Sequence, residues 1–261
     1  MRVQFLVSCM HEDMERFINR REWEKYDYVI VNQTNITKEV IIKRDKSHVV
    51  INSPERGLSR SRNRALIESI GDICVICDND GVPVGNADKI IEKAYEEIPQ
   101  ADIIVFDEIN KRFGDKIKKL KKFELLRVSS TEITFRRKKV DRLLCFDTRL
   151  GAGSDLGSGE ENKFLMDAYK NKMNIYYYPQ KIMDWPEDLH DDSTWFSGYD
   201  KKSLYNRGVI ASCVLGKTVG IVYCLFFAVT KKKLYIENCN VFQAICYLLK
   251  GSVSGIKKRE D

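Results

Sequence analysis

Five short apolar runs, at residues 3–7, 28–31, 49–51, 73–76 and 103–106, alternate with stretches whose apolar residues recur at helical spacing. Strands that are apolar on both faces must be covered on both faces, and parallel pairs need long crossovers, which are usually helical. Met14, Phe17 and Ile18 predict one such helix. Ala65, Leu66, Ser69 and Ile70 give the inner face of a second, with Ser59 as its N-cap. Ala87, Ile90, Ile91, Ala94, Tyr95 and Ile98 fit a third. The pattern predicts an α/β fold with a mixed, mainly parallel central sheet flanked by helices, of the nucleotide-binding kind. The lysine-rich stretch 111–122 is read as a solvated loop or hairpin. Beyond it a strand at 132–135, a helix at 161–170 and a strand at 174–178 predict a second half of the same domain. Residues 1–110 are thus read as a nucleotide-binding half, 111–200 as a second half carrying the acceptor and the chemistry, and 201–261 as a helical C-terminal tail.

Charge separates the tail from the body. The chain carries a net charge of +6 over 261 residues. Residues 201–261 hold 11 Lys/Arg and 3 Asp/Glu, a net of +8, so residues 1–200, with 33 against 35, carry −2. A basic tail on a nearly neutral body predicts an anionic partner such as a phospholipid surface. Within the tail, residues 218–230 are uncharged and flanked by Lys217 and by Lys231, Lys232 and Lys233. That run is too short to span a bilayer, which needs about 20 apolar residues. It predicts either peripheral attachment or a helix packed on the domain. The first apolar run is too short for an export signal, so a cytoplasmic protein on the inner membrane face is expected. Cys74 and Cys77 form a C-x-x-C, but strand residues three apart point to opposite faces, which argues against a metal or redox pair.

Three segments carry candidate chemistry. Asp78, Asn79 and Asp80 follow the most apolar strand. The C-terminal end of a strand is where open α/β sheets bind ligands, and hard carboxylate oxygens suit Mg²⁺ or Mn²⁺ on a diphosphate. By itself the triplet equally describes a polar turn. Gly57 and Ser59 lead into a helix start beside Arg56, Arg60, Arg62 and Arg64, a combination that favours phosphate but also describes a solvated basic face. Gly157, Ser158 and Gly159 precede Glu160 and Glu161 at a helix start. A carboxylate there suits a general base, although acids also gather at helix N-termini because of the dipole. No aromatic platform is interleaved with the arginines, which argues against nucleic acid as a partner.

Taken together and in this order, the segments resemble the family 2 glycosyltransferases of GT-A fold that build bacterial capsules and cell-surface polysaccharides. The resemblance runs from Val3 to about Tyr199 and rests on VSCM at 7–10, VNQ at 31–33, ERGLSRSRN at 55–63, ICDND at 76–80, SGEENKFL at 158–165 and STWFSGY at 193–199. It implies an inverting transfer of a hexose-type sugar from a nucleotide donor, UDP being the expected nucleotide, to a hydroxyl of a glycan or lipid-linked glycan. It implies that Ser8 and Asn32 lie at the nucleoside, Arg62 and Asn63 near the nucleotide, Asp78 near the ribose and metal, and Asp80 on Mn²⁺ or Mg²⁺. Glu161 falls where the family has the aspartate of a Gly-Glu-Asp motif, its catalytic base. The substitution keeps a carboxylate and lengthens its reach, with Glu160 as the alternative. A further metal ligand is implied late in the second half, at His190 or Asp184. Trp185, Trp195 and Tyr199 are read either as sugar-stacking or as core aromatics. Two other functions share much of this pattern. A sugar nucleotidyltransferase would favour a glycine-rich loop with lysine near the first strand, and Ser8, Cys9, Met10 and His11 offer no glycine. A non-catalytic subunit that binds nucleotide sugar for another transferase would tolerate the change at Glu161.

Overall fold

A computed structural model describes residues 1–11, 23–43, 45–107, 112–140, 143–185 and 198–255. In chain order, β1 (Val3–Met10), β2 (Asp27–Gln33), β3 (Val40–Lys43) and β4 (His48–Ser53) lead to helix α1 (Leu58–Glu68). β5 (Ile73–Asp78), the short β6 (Val82–Pro83), α2 (Ala87–Glu97) and β7 (Ile103–Phe106) follow. Next come β8 (Lys118–Lys119), β9 (Ile133–Arg136), the single turn α3 (Arg137–Val140), α4 (Glu160–Lys170), β10 (Ile175–Tyr178) and β11 (Met183–Asp184). Three helices close the described chain: α5 (Lys201–Leu215), α6 (Lys217–Thr230) and α7 (Val241–Ser254). The helix expected around Met14, Phe17 and Ile18 lies outside the described residues.

Nine strands form one sheet in the order β3-β4-β2-β1-β5-β9-β7-β10-β8. β4, β2, β1 and β5 are mutually parallel, as are β7 and β10. β9 lies antiparallel between β5 and β7, so six of the nine strands point one way. Apolar runs in the sequence cannot show this insertion, because a strand buried on both faces reads the same in either direction. β3 was also missed. Its four residues are exposed at the sheet edge, so they lack the burial that marks a strand in a sequence.

Side chains alternate between two cores, as the two-residue strand period requires. Leu6, Val29, Val31, Cys74 and Ile76 face α1 and α4. Phe5, Val7, Ile30, Val75 and Cys77 face α2. Cys74 and Cys77 therefore sit on opposite sides of the sheet, and burial pushes the Cys77 thiol well above its ordinary pKa. α1 departs from expectation at both ends. Gly57 is its N-cap and Ser59 lies inside the first turn, donating to Leu150 O at 2.8 Å. Ile70 lies past the helix end and is 38% exposed, while Ser59, Ser61, Arg62, Ala65 and Leu66 form the buried face.

The tail helices pack tightly on one another and on the domain. A Cβ on Gly208 of α5 would sit 2.0 Å from Leu248 O of α7, and one on Gly251 of α7 would sit 2.0 Å from Tyr205 O. These two glycines let the helix backbones cross at contact distance. α5 also meets α4, where Met166 is buried with Val214 and Leu215. α4 thus buries a second side, while Tyr169 is 41% exposed.

Candidate functional site

The parallel strands β1, β2, β4 and β5 all end on the same edge, and polar residues are buried there. Ser8 pairs in register with Asp78 on one side and Val31 on the other. Its hydroxyl accepts from Ser61 Oγ at 2.9 Å. Asn32 is 2% exposed and donates through Nδ2 to Asn52 Oδ1 at 3.2 Å. Asn63 donates to Phe146 O and accepts from Phe146 N, both at 2.8 Å, so its amide pins the chain at Phe146. The Phe146 ring lies flat on Phe164 of α4, with centroids 4.5 Å apart and planes 7° apart.

Arg62 links the strand end to the start of α4. It is fully buried in the α1 face and lies 5.5 Å from the Phe146 ring centroid. Nη2 donates to Asp78 Oδ1 at 3.1 Å and Nη1 donates to Glu160 Oε1 at 3.0 Å. A buried guanidinium needs this, since an uncompensated buried charge is strongly destabilising. Arg62 was expected near the nucleotide, and its guanidinium here bridges two carboxylates. Of the other arginines in the motif, Arg64 pairs with Glu39 and Glu68, and Arg56 donates to Gln33 O at 2.9 Å. The helix start expected to cradle phosphate is covered. Gly57 N donates to Gln33 Oε1 at 2.7 Å, Leu58 N donates to Ala152 O at 2.9 Å, and Gly153 packs against Gly57.

Asp78 is the last residue of β5, while Asn79 and Asp80 form the turn beyond it. Asp80 is therefore positioned by the turn and not by the strand. Gly81 N closes this turn on Asp78 O at 3.2 Å. The two-strand ribbon of β6 and β11 flanks it, with Asp184 in register with Val82 and ion-paired to Lys181. His190 and Trp195 lie outside the described residues. Among the described residues no three His, Cys, Asp or Glu side chains gather as a metal cluster. The donor set of Asp78 and Asp80, two hard carboxylates with the Asp78 side chain 30% exposed, fits an oxygen-loving cation that fills its other positions with ligand oxygens.

The two glutamates of α4 leave the helix on different sides, and their carboxyls come within hydrogen-bonding reach of each other. Adjacent helical residues diverge by about 100°. Glu160 turns inward to Arg62 and is 5% exposed. Glu161 turns to a cavity of about 340 Å³ between the start of α4 and the tail helices. Burial, and then the charge of Glu160, push the Glu161 carboxyl well above the usual carboxylate range. The cavity is also lined by Ser158, Tyr199, Asn206, Arg207 and Tyr223. The last three come from α5 and α6, where the sequence offered only charge and apolar content. Gly159, at φ +92°, makes this meeting possible, because a Cβ there would sit 2.6 Å from Ile210 Cγ2. Trp185 lies against Gly81 and packs on the second core, so it belongs with the turn and not with this cavity.

No family model and no curated protein matches the chain. Among solved structures it is similar to residues 1–349 of S. aureus TarS in complex with UDP-GlcNAc, at TM-score 0.64 and 14% identity, covering 99% of this chain and 82% of that one. The same protein in complex with UDP aligns at TM-score 0.61 and 13% identity, covering 96% and 81%. A longer TarS structure aligns at TM-score 0.61 and 12% identity over 99% of this chain and 50% of that one. At such identities the likeness establishes the fold, a mixed and mainly parallel α/β sheet of the GT-A kind flanked by helices.

Proposed function

We propose that this protein is an inverting glycosyltransferase that moves a hexose-type sugar from a nucleotide donor, UDP-linked, to a hydroxyl of a bacterial surface glycan or its lipid-linked precursor. The observation that carries the reading is the division of labour around Arg62. This one buried cation ties the Asp78 strand end to Glu160, while the next residue, Glu161, opens to a separate cavity. A transferase needs that layout: a donor place at the strand ends, an acceptor place across from it, and a carboxylate between them. The GT-A fold, and the UDP and UDP-GlcNAc held by TarS, support a nucleotide-sugar donor.

In this reading Ser8, Asn32 and the strand ends around them border the nucleoside. Arg62 and Asn63 hold Asp78 and the Phe146 segment in place beneath the nucleotide. Asp78 and Asp80 hold Mn²⁺ or Mg²⁺, which when bound offsets the charge that develops on the departing nucleoside diphosphate. Glu161 accepts the proton of the acceptor hydroxyl as its oxygen bonds to the anomeric carbon. The bond from that carbon to the diphosphate breaks, its electron pair leaves with the phosphate oxygen, and the anomeric configuration inverts. A base aimed at a hydroxyl works only if held rigidly, and Phe164, Leu165 and Ala168, all buried, fix the helix that carries it.

The test is a panel of nucleotide sugars, scored for thermal stabilisation with and without Mn²⁺ and then for donor turnover. UDP-sugars should raise the melting temperature, more so with metal. Slow donor hydrolysis without acceptor should accompany binding. Binding with no turnover under any condition would leave a non-catalytic nucleotide-sugar subunit. No stabilisation by any nucleotide would end the reading.

A further inference from the structure

From the tail-side cavity we infer that the acceptor carries an anionic group, a phosphate ester or phosphodiester, seated on Arg207 beside the hydroxyl that reacts. This rests on the glycosyltransferase reading and adds to it the chemistry of the acceptor. Arg207 projects from α5 into the same cavity that Glu161 lines. No carboxylate pairs with it among the described residues, in contrast to Arg62, Arg64, Arg112 and Arg149.

Arg207 is instead framed by aromatic rings. Its guanidinium lies 4.6 Å from the Phe227 centroid and 5.2 Å from the Tyr199 centroid. Its Nη2 donates to the Tyr199 hydroxyl at 3.2 Å, and its Nη1 donates to the Tyr223 hydroxyl at 3.5 Å. These contacts fix the fork without neutralising it. The Tyr223 oxygen accepts from Arg207, which leaves the tyrosine's own proton to donate into the cavity. A guanidinium held on aromatic faces keeps its full charge, and the rings displace water that would screen it. The fixed donor geometry matches phosphate oxygens two at a time, which an ammonium does not.

Neighbouring features agree with an anion. Ser158, Ser203 and Asn206 add neutral hydrogen-bonding groups to the lining. Glu161, the one acidic side chain among the described lining residues, has its carboxyl pushed toward the neutral form by burial and by the charge of Glu160. The volume, about 340 Å³, suits one sugar or polyol unit with its phosphate. The group can belong to a phosphate-linked glycan or polyol chain, or to the headgroup of a lipid carrier. The chemistry at Arg207 is the same for both.

The experiment saturates the donor side with UDP and Mn²⁺, then titrates glycerol 1-phosphate, glycerophosphoglycerol and plain glycerol by calorimetry. A second arm titrates a polyprenyl phosphate in detergent micelles. Both phosphate-bearing soluble probes should bind and glycerol should not. Arg207→Gln should weaken that binding by roughly ten- to hundredfold, the usual loss for a hydrogen bond to a charged group. Tyr223→Phe should weaken it less. Arg207→Lys, which keeps charge but loses the fork, should fall between wild type and Arg207→Gln. UDP affinity, unchanged in all three variants, reports that the domain is folded. Binding of the polyprenyl phosphate alone assigns the anion to a lipid carrier. If no phosphate probe binds, or if Arg207→Gln binds as wild type does, the inference is wrong. Transfer to neutral acceptors by that same protein would still leave the glycosyltransferase reading standing.

Discussion

The two sides of α4 are built on opposite principles. On the strand-end side, Ser8, Asn32, Ser61 and Arg62 are buried and Asn63 is half-buried, and their hydrogen bonds stay within the frame, to one another, to Asn52, Asp78 and Glu160, or to backbone. On the tail side, Glu161, Arg207 and Tyr223 line open space and keep hydrogen-bonding capacity to offer. The first arrangement gives rigidity, because both Nη atoms of the buried Arg62 are held by carboxylates, while its Nε has no partner among the described residues. The second gives binding. Gly159 is the seam, because its positive φ turns the chain into α4 and its missing Cβ admits Ile210 of α5. One helix start therefore serves a fixed frame through Glu160 and a working surface through Glu161.

The largest effect should come from removing a proposed metal ligand. Asp80→Asn is expected to abolish transfer and the metal-enhanced part of nucleotide binding while leaving the melting temperature nearly unchanged. Asp80 sits on the turn beyond β5, outside the Arg62 bridge. Full activity of this variant, or of wild type in excess chelator, would remove the metal from the mechanism.

Glu161→Gln should follow, lowering turnover by roughly 10²–10⁴-fold with donor affinity intact. Glu161→Asp installs the residue usual in the glycosyltransferases that the sequence resembles but shortens the reach, and should recover only part of the rate. The pH profile sharpens this test. With its carboxyl raised to about 8, Glu161 gains base form as pH rises, so turnover should climb across the neutral range and flatten above. Stability should run the other way. A carboxyl raised in the folded state binds more protons there than in the unfolded chain. Folding is therefore weakened as pH rises from the ordinary carboxylate range through about 8. Glu161→Gln should remove both dependences, and a profile unmoved by it would assign them elsewhere.

Glu160→Gln probes the frame. Replacing the carboxylate opposite a buried guanidinium should cost about 1.5–3 kcal/mol of stability, and only a modest part of the turnover. A dead but stable Glu160→Gln alongside an active Glu161→Gln would exchange the roles of the two residues.

How much of this was legible in the sequence follows from the same contrast. β1, β2, β5 and β7 were readable because strands buried on both faces leave uninterrupted apolar runs. The places of Asp78 at a strand end and of Glu161 at a helix start were readable, because polar residues and glycines interrupt the apolar pattern there. The direction of β9 was not, since it depends on which neighbours it joins. The Arg62 bridge was not, because its partners Asp78 and Glu160 lie 16 and 98 residues away. The arginines of the motif looked alike in sequence, yet burial separates Arg62 from Arg60, which is exposed. Arg207 was hidden in a tail whose positive charge was read as a whole, although its pairing with Tyr199 and Tyr223 singles it out.

The smallest effect concerns the outer surface of that tail, and it separates the tail's two duties. α6 buries Gly220, Cys224, Phe227 and Ala228 against its neighbours and exposes Val222, Leu225, Phe226 and Val229. Leu234, Ile236 and Phe242 are exposed as well, and Lys231, Lys232 and Lys233 follow the helix end. No helix among the described residues is long and apolar enough to cross a membrane. We propose that this apolar face and the lysines beside it rest on anionic lipid as a peripheral anchor, as the basic tail led us to expect. Removing the tail would also remove α5 from Gly159, so point changes are the cleaner probe. Phe226→Ser should reduce flotation with anionic vesicles by a few-fold, as expected for losing part of one buried aromatic side chain. Changing Lys231, Lys232 and Lys233 to glutamine should reduce it by about fivefold per lysine at low salt, each being worth roughly 1 kcal/mol near such a surface. That second effect should shrink as salt is added. Transfer to a soluble acceptor should not change in either variant, because Tyr223 points to the cavity and these residues point away from it. Wild-type flotation in both variants would place the exposed face against a protein partner or a second copy of the chain, and would leave lining the acceptor cavity as the tail's one proposed duty.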